Sequence, residues 1–336
     1  MPPLTFAEIA FPGFDPVVLA LGPLELRWYG LGYLAGFVIA GWALDRQSRD
    51  GFLPFTKGQV SDLIGWLVLG VIVGGRLGYA LFYEPAMLLH PLDLVRIWTG
   101  GLSFHGGLAG VVIASLVFAR RHRVPWPRLA DGLALAAPFG IFLVRCANFV
   151  NGELYGRVAS ASLPWAMRFP TDPAAFRASP ELAAGGAFHW HDAFVRLRAS
   201  GAWDQIAAQV PLRHPSQLYE ALLEGALLAA LLWHLYVRHV RPALAGSGGG
   251  ALGRRLARPG GLGGVFLLWY ALARFLVEFT RQPDAQFTGP GDVVGTVLGP
   301  LSMGQVLSLA VALGGVALLV LGPRSGAPAE AGGARW

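Results

Sequence analysis

Charge and cysteine are what this chain has least of. Only 14% of its 336 residues are Asp, Glu, Lys or Arg, against a hydrophobic fraction of 54% and a mean hydropathy of +0.51. That balance excludes an ordinary soluble enzyme. The single cysteine, Cys146, excludes an internal disulfide framework. The opening stretch MPPLTFAEIAFPGFDP has no basic n-region and no small-residue cleavage site, so no removable signal peptide is expected. There is no HExxH, no carboxylate cluster at ligand spacing and no Gly-Lys phosphate loop, so neither metal nor cofactor is expected. The net charge of +6 does not point to nucleic acid, because the basic residues sit in short loops between apolar runs.

Those apolar runs are what the chain has in quantity. About 20 consecutive apolar residues cross a bilayer, and seven candidate spans fall at roughly 24–44, 60–83, 102–119, 130–149, 216–237, 262–280 and 303–321. The expected fold class is an all-α polytopic membrane protein with about seven transmembrane helices and a small periplasmic head. Residues 1–149 hold the first four helices and 150–215 the head; 216–322 hold the last three and 323–336 form a cytoplasmic tail. The glycine-rich stretch GSGGGALGRRLARPGGLGG places a flexible cytoplasmic linker at about 242–261. Basic residues alternate between loops. Arg46, Arg49 and Lys57 follow the first span, Arg120, Arg121, Arg123 and Arg128 the third, and Arg238, Arg241, Arg254, Arg255 and Arg258 the fifth; Arg324 and Arg335 follow the last. The loop after the second span carries only Arg96. The positive-inside rule then puts the N-terminus outside and the C-terminus in the cytoplasm. No inverted repeat of the transporter kind is visible.

Against that topology, a set of polar residues breaks the charge rule. Tyr29 and Arg27 open the first span, Arg76 nears the outer end of the second, and His105 starts the third. Arg145 and Asn148 end the fourth; His214, Gln217, Tyr219 and Glu220 start the fifth; Arg274, Glu278 and Arg281 end the sixth. All are expected on the outer side, where arginine should be rare. A charge at mid-membrane depth costs roughly 2.5–3.5 kcal/mol on insertion scales and normally faces a cavity or a partner. Several arginines together suit a phosphate, which their planar fork binds better than lysine does. An outer-leaflet phospholipid head group is the expected anion.

Structural readings stand beside these functional ones. Arg274 and Glu278, four apart on one helix face, form a self-satisfying ion pair on the plainer view. Arg76 could snorkel to the interface, and Gly70, Gly74 and Gly78 suit close helix packing. Trp28 and Tyr29 fit an aromatic belt. Pro215 and Ser216 fit a helix start. Cys146 reads as packing.

The blocks LRWYGLGYL, GGRLGYALFYEP, GGLSFHGGLAG, RCANFVNGELYGR, RHPSQLYEALLEG, RFLVEFTRQPDAQFTG and LSMGQ, in this order, resemble those of bacterial prolipoprotein diacylglyceryl transferases from about residue 12 to 322. The resemblance implies seven spans with the N-terminus outside. It also implies a reaction in which the sn-1,2-diacylglyceryl group of phosphatidylglycerol moves to the lipobox cysteine thiol of a prolipoprotein signal peptide. That reaction forms a thioether and releases sn-glycerol 1-phosphate, in the bacterial inner membrane with the site facing the outer leaflet. One departure stands out: where the family usually has Gly-Arg-x-Gly-Asn, this chain has Val144-Arg145-Cys146-Ala147-Asn148.

The chemistry assigns expected roles. Since the nucleophile is the substrate's own thiolate, the protein needs a base and a clamp for the leaving phosphate. His105 is the expected base, its ordinary pKa being about 6.5, and Arg145 and Arg274 the expected clamp. Glu278 is expected to hold Arg274, and Asn148 to bond a phosphate or glycerol oxygen. Tyr29, Arg76, Asn151, Glu153, Gly156, His214, Gln217, Tyr219, Glu220 and Arg281 are expected to line the substrate site. An anionic-lipid transporter or flippase is the rival reading, but the inner halves of the spans, such as LAGFVIAGWAL, are nearly all apolar. An intramembrane hydrolase would need a nucleophile–base pair that Ser103 and His105, only two apart, do not supply.

Overall fold

A computed structural model describes residues 9–22, 24–96, 100–186, 189–283 and 295–321. The C-terminal tail and the PDAQFTG part of the sixth-span block lie largely or wholly outside them. The chain is mostly helical. A hairpin of β1 (Val17–Leu21) and β2 (Leu24–Arg27) leads into α1 (Trp28–Arg49), followed by α2 (Lys57–Phe82), α3 (Phe104–Arg121) and α4 (Trp126–Val150). Then come four short helices between 173 and 207 and α5 (Ser216–Leu244). A short helix Gly250–Leu256, α6 (Gly261–Val277), the hairpin β3 (Thr296–Leu298)–β4 (Leu301–Ser302) and α7 (Met303–Leu321) complete it.

Among the described residues, α2, α4, α5 and α7 are long and apolar enough to cross a membrane, and a fifth span arises if Gly250–Leu256 and α6, bent by 89°, count as one. The chain is therefore a helical protein with four to five candidate spans. Helices α1 and α3 occupy the expected first and third spans but are less apolar: α1 carries Tyr29, Tyr33 and four glycines, and the 18 residues of α3 include Arg120 and Arg121. Two expectations need adjusting. The fold is not purely helical, since Leu24–Arg27, read as the start of the first span, pairs with Val17–Leu21. The glycine-rich linker also contains a helix: Gly249, Gly250 and Gly260 supply left-handed turns around Gly250–Leu256.

The chain divides into two compact units. The first comprises Met1–Gly36, Pro138–Ala230 and Leu267–Gly314. Its residues 150–215 fold around an aromatic core into which the N-terminal segment inserts Phe11. The Phe11 ring lies 5.1 Å from Phe169, 5.5 Å from Phe149 and 5.9 Å from Trp190. Rings of this size bury large apolar areas and favour such edge and tilted contacts. Within the same unit α4 and α5 cross at backbone contact, because a Cβ on Gly225 would sit 2.7–2.9 Å from Phe142. The crossing brings Arg145, three residues after Phe142, against Glu220, five before Gly225. Between them α5 relaxes from α-helix into a π-helical turn, Ala221–Ala226. Such turns recur at functional positions.

The second unit comprises Phe37–Ala137, Leu231–Phe266 and Gly315–Trp336. Here α2 and α3 touch through glycines: a Cβ on Gly110 would lie 1.9 Å from the Gly70 carbonyl oxygen, and one on Gly74 2.4 Å from that of Gly106. The close-packing reading of Gly70, Gly74 and Gly78 fits this geometry. Asp131, fully buried in α4, accepts the backbone N–H groups of Gly260 and Gly263 at 2.8 and 2.7 Å and so caps the start of α6.

Candidate active site

The first unit gathers most of the polar residues singled out in the sequence. Three guanidinium groups approach one carboxylate. Glu220, 1% exposed, has Arg145 Nε 2.6 Å from Oε2, while Arg274 Nη1 and Arg281 Nε lie 3.8 and 3.9 Å from Oε1. These contacts are not aligned as hydrogen bonds, so the attraction is Coulombic. Buried ion pairs of this kind are costly to desolvate and strongly destabilised when one partner is removed.

Behind Arg274 stands a second carboxylate. Glu278 Oε2 lies 2.9 Å from Arg274 Nη2, and the Ser302 hydroxyl donates to its Oε1 at 3.0 Å. The N-terminal turn of α7 closes over this group. A Cβ on Gly304 would fall 2.5–2.6 Å from the Glu278 carboxyl carbon and both oxygens, so any larger residue there would displace the carboxylate. The LSMGQ block is thus a cradle for Glu278. Gln305 completes it by accepting the Ser302 backbone N–H at 3.1 Å.

The polar run after α4 ties itself together around Glu153. Asn148 and Asn151 donate to its Oε1 at 2.8 and 3.1 Å, and Gln217 donates to its backbone carbonyl at 2.6 Å. Arg145 donates weakly to Asn148 Oδ1 at 3.5 Å. This network fixes the turn that follows a membrane-length helix, which is why an arginine and two asparagines stand there. Gly156 then passes flat against two backbones. Its N–H donates to the His214 carbonyl at 2.8 Å, and a Cβ would lie 2.2 Å from the Thr280 carbonyl oxygen. The bridge Gly156–Arg281 and the bond from Arg157 Nε to the Arg281 carbonyl at 2.7 Å hold the end of the sixth-span block there.

Tyr219 accepts from Trp165 Nε1 at 2.6 Å and lies 3.3 Å from His214 Nδ1. Partial burial holds His214 below the ordinary histidine range. Tyr29, in the first turn of α1, stacks edge-on against Tyr33 with ring centroids 5.2 Å apart.

Two expected site residues belong to the second unit. Arg76 is 4% exposed and gives all five N–H groups to backbone carbonyls of its own loop: Leu94 at 3.2 Å, Asp93 at 2.6 Å, Arg96 and Gly101 at 3.1 Å, and Gly100. It neither snorkels nor presents an open fork; it holds that loop on α2. His105 is exposed in the first turn of α3, whose N-cap Ser103 accepts the Gly106 N–H at 3.3 Å, and its ring touches Phe104 with centroids 5.6 Å apart.

Sequence reasoning passed over Ser302 and Gly304 as site residues and left Glu224 between two readings, dipole-compatible or pocket-facing. Glu224 had a visible signal, four residues after Glu220 in LYEALLEG. Ser302 and Gly304 had none, because their contact with Glu278 joins segments some two dozen residues apart. Ala147, at the departure from the family pattern, is buried at 4% and its carbonyl accepts the Asn151 N–H at 2.9 Å, so the helix end forms without the family's glycine.

A family model described as prolipoprotein diacylglyceryl transferase matches residues 16–321. Proteins named phosphatidylglycerol–prolipoprotein diacylglyceryl transferase are similar throughout. That of Sodalis glossinidius is 42% identical over 321 residues, and that of Pectobacterium atrosepticum 41% over 318. That of Shigella boydii is 39% identical over 320 residues. In each case 94% of this chain and 96% of the relative are covered. A match of this length, spanning every segment that builds the arginine–carboxylate cluster, means that the chain belongs to the prolipoprotein diacylglyceryl transferase family.

Proposed function

We propose that this protein transfers the sn-1,2-diacylglyceryl group of phosphatidylglycerol to the lipobox cysteine of prolipoprotein signal peptides, the first step of bacterial lipoprotein maturation. The observation that carries the reading is the convergence of Arg145, Arg274 and Arg281 on one buried carboxylate. Three fixed cations at the ends of apolar helices suit a lipid phosphate, and Arg274 Nη1 makes no hydrogen bond among the described residues.

In the reaction the cysteine sulfur attacks the glyceryl carbon that carries the phosphate. A C–S bond forms, the C–O bond breaks, and the electron pair leaves on the phosphate oxygen. The phosphodiester's single negative charge becomes the roughly double charge of a monoester, and the arginine clamp stabilises that increase as it develops. Glu278, fixed by Ser302 and Gly304, orients Arg274, while Asn148, Asn151 and Glu153 hold the turn beside Arg145. For the thiol proton, the acceptor expected from the sequence is His105, exposed at a glycine-flanked helix start of the second unit.

The same reading sets seven spans in the bacterial inner membrane, with α1 and α3 joining the more apolar helices. The N-terminus and the 150–215 head face the periplasm, and the C-terminus faces the cytoplasm. The arrangement of Arg and Lys in alternate loops supports that orientation.

Phosphatidylglycerol labelled in its glycerol headgroup tests the proposal. Purified protein should release labelled glycerol phosphate only when a lipobox thiol peptide is present. Release without the thiol would make it a lipase, and no release alongside lipid movement between leaflets would favour a flippase.

A further inference from the structure

Within the arginine cluster one carboxylate is left over. Glu224 is fully buried, and both of its oxygens lack a hydrogen-bond partner among the described residues. A buried polar group without partners is rare and expensive, so each one calls for an explanation. The charged and titratable groups that face it are Glu220, Arg145, Arg274 and Arg281, with Tyr270 on α6. None of those arginines lies close enough to pair with Glu224; they are spent on Glu220 and Glu278.

The π-helical turn Ala221–Ala226 carries Glu224 and is held on both sides. Trp269 Nε1 donates to the Leu223 carbonyl at 2.8 Å, and Gly225 lies on the Phe142 backbone. The unpartnered carboxylate is therefore fixed in place by its backbone.

Resting on the proposed reaction, the chemistry of the headgroup supplies the missing partner. A phosphatidylglycerol headgroup brings a phosphate, which accepts hydrogen bonds, and two vicinal hydroxyls, which donate them. Arginine offers donors only, so the clamp can satisfy the phosphate but not the diol. The other carboxylates nearby are engaged: Glu220 with Arg145, Glu278 with Arg274 and Ser302, and Glu153 with Asn148 and Asn151. We infer that Glu224 is the residue that selects the glycerol headgroup, its two oxygens accepting the two hydroxyls of the diol. Binding strength drawn from the headgroup, remote from the breaking C–O bond, is of the kind that raises turnover as well as affinity.

A site built to bond hydroxyls discriminates strongly against an analogue lacking them, because its own polar atoms are then left bare. The test compares lipids that share acyl chains and phosphate and differ only beyond it: phosphatidylglycerol, phosphatidyl-1-propanol and phosphatidylethanolamine. Each is presented in detergent micelles with a lipobox peptide, and transfer is read as diacylglyceryl adduct. The unsubstituted protein is expected to prefer phosphatidylglycerol over phosphatidylpropanol by at least about 10- to 100-fold in kcat/KM, the range of a single hydrogen bond to a charged acceptor. In Glu224→Gln that preference should shrink to a few-fold, through loss on phosphatidylglycerol with little change on phosphatidylpropanol.

A merely structural Glu224 would lower both lipids together and leave the ratio intact, which overturns the inference. Equal use of the two lipids by the unsubstituted protein overturns it as well, whether or not the variant folds. Enhanced use of phosphatidylethanolamine by the unsubstituted protein, pointing to an ammonium partner for Glu224, contradicts it too. Absence of transfer from every lipid brings down the proposed reaction, and the inference with it.

Discussion

Gly304→Ala separates the proposed site from ordinary helix energetics, because the two predict opposite signs. Replacing a helical glycine by alanine normally stabilises, by up to about 1 kcal/mol and less in a first turn. Here the added Cβ would meet the Glu278 carboxyl carbon and oxygens at 2.5–2.6 Å, closer than such contacts occur. Glu278 ends a flexible side chain, so the fold gives way there and the helix survives. The displaced carboxylate then loses the Ser302 hydroxyl, at 3.0 Å, and its 2.9 Å contact with Arg274. Charge-assisted contacts of this sort contribute about 1.5–3 kcal/mol each. Loss of Arg274's orientation by about 3 kcal/mol corresponds to roughly a hundredfold in kcat/KM. The assay pairs adduct formation with thermal unfolding in detergent. The expected result is a hundredfold drop in transfer with Tm unchanged or slightly raised, matched by Glu278→Gln. Full activity in Gly304→Ala would remove Glu278 from the site.

Other perturbations follow from the same contacts. Arg145→Ala should cut transfer at least a hundredfold while the protein still inserts, since Glu220 then keeps only arginines 3.8 and 3.9 Å away; wild-type rates in that variant would remove the clamp. His105→Gln should slow transfer at neutral pH and recover part of the loss as pH rises and the peptide thiol ionises unaided. A pH profile parallel to that of the unsubstituted protein would exclude His105 as base. Gly110→Ala should lower Tm by several degrees with little specific effect on chemistry, because its Cβ would lie 1.9 Å from the Gly70 carbonyl; an unchanged Tm would contradict the close contact of α2 and α3. His214 carries a pH effect of definite sign. Its folded pKa is depressed by burial, so as pH falls through about 6.5 the unfolded chain takes up the proton first and stability drops, down to the folded value. Above that window His214 contributes no slope. Urea titrations should show the drop in this window shrinking in His214→Gln, and an identical pH dependence in the variant would assign it to other groups.

Much of this was legible in the sequence because charge in an apolar run is conspicuous. Arg145, Arg274, Glu220 and Glu278 stood out for that reason, and the structure brings all four together. Their setting was not legible. The Gly304 cradle depends on a contact between the end of α6 and the start of α7, which no local pattern announces. The π-helical turn in α5, which lies against Phe142 and Trp269, leaves no mark in LLEGALL, a stretch that reads as ordinary helix. The loop contacts of Arg76 were not legible either. As a charge near a helix end it resembled a lipid contact, yet five carbonyls of a neighbouring loop take its donors. Leu24–Arg27 was absorbed into the first span because LELR runs directly into the apolar stretch from Trp28, and its pairing with Val17–Leu21 shows it to be a strand.

The most direct test of the central claim is mass spectrometry of a lipobox peptide incubated with purified protein and phosphatidylglycerol. The account predicts one diacylglyceryl group per peptide, on the cysteine sulfur, with an equimolar amount of glycerol phosphate and no adduct on a Cys→Ser peptide. A peptide that stays unmodified while the protein binds the lipid would contradict it.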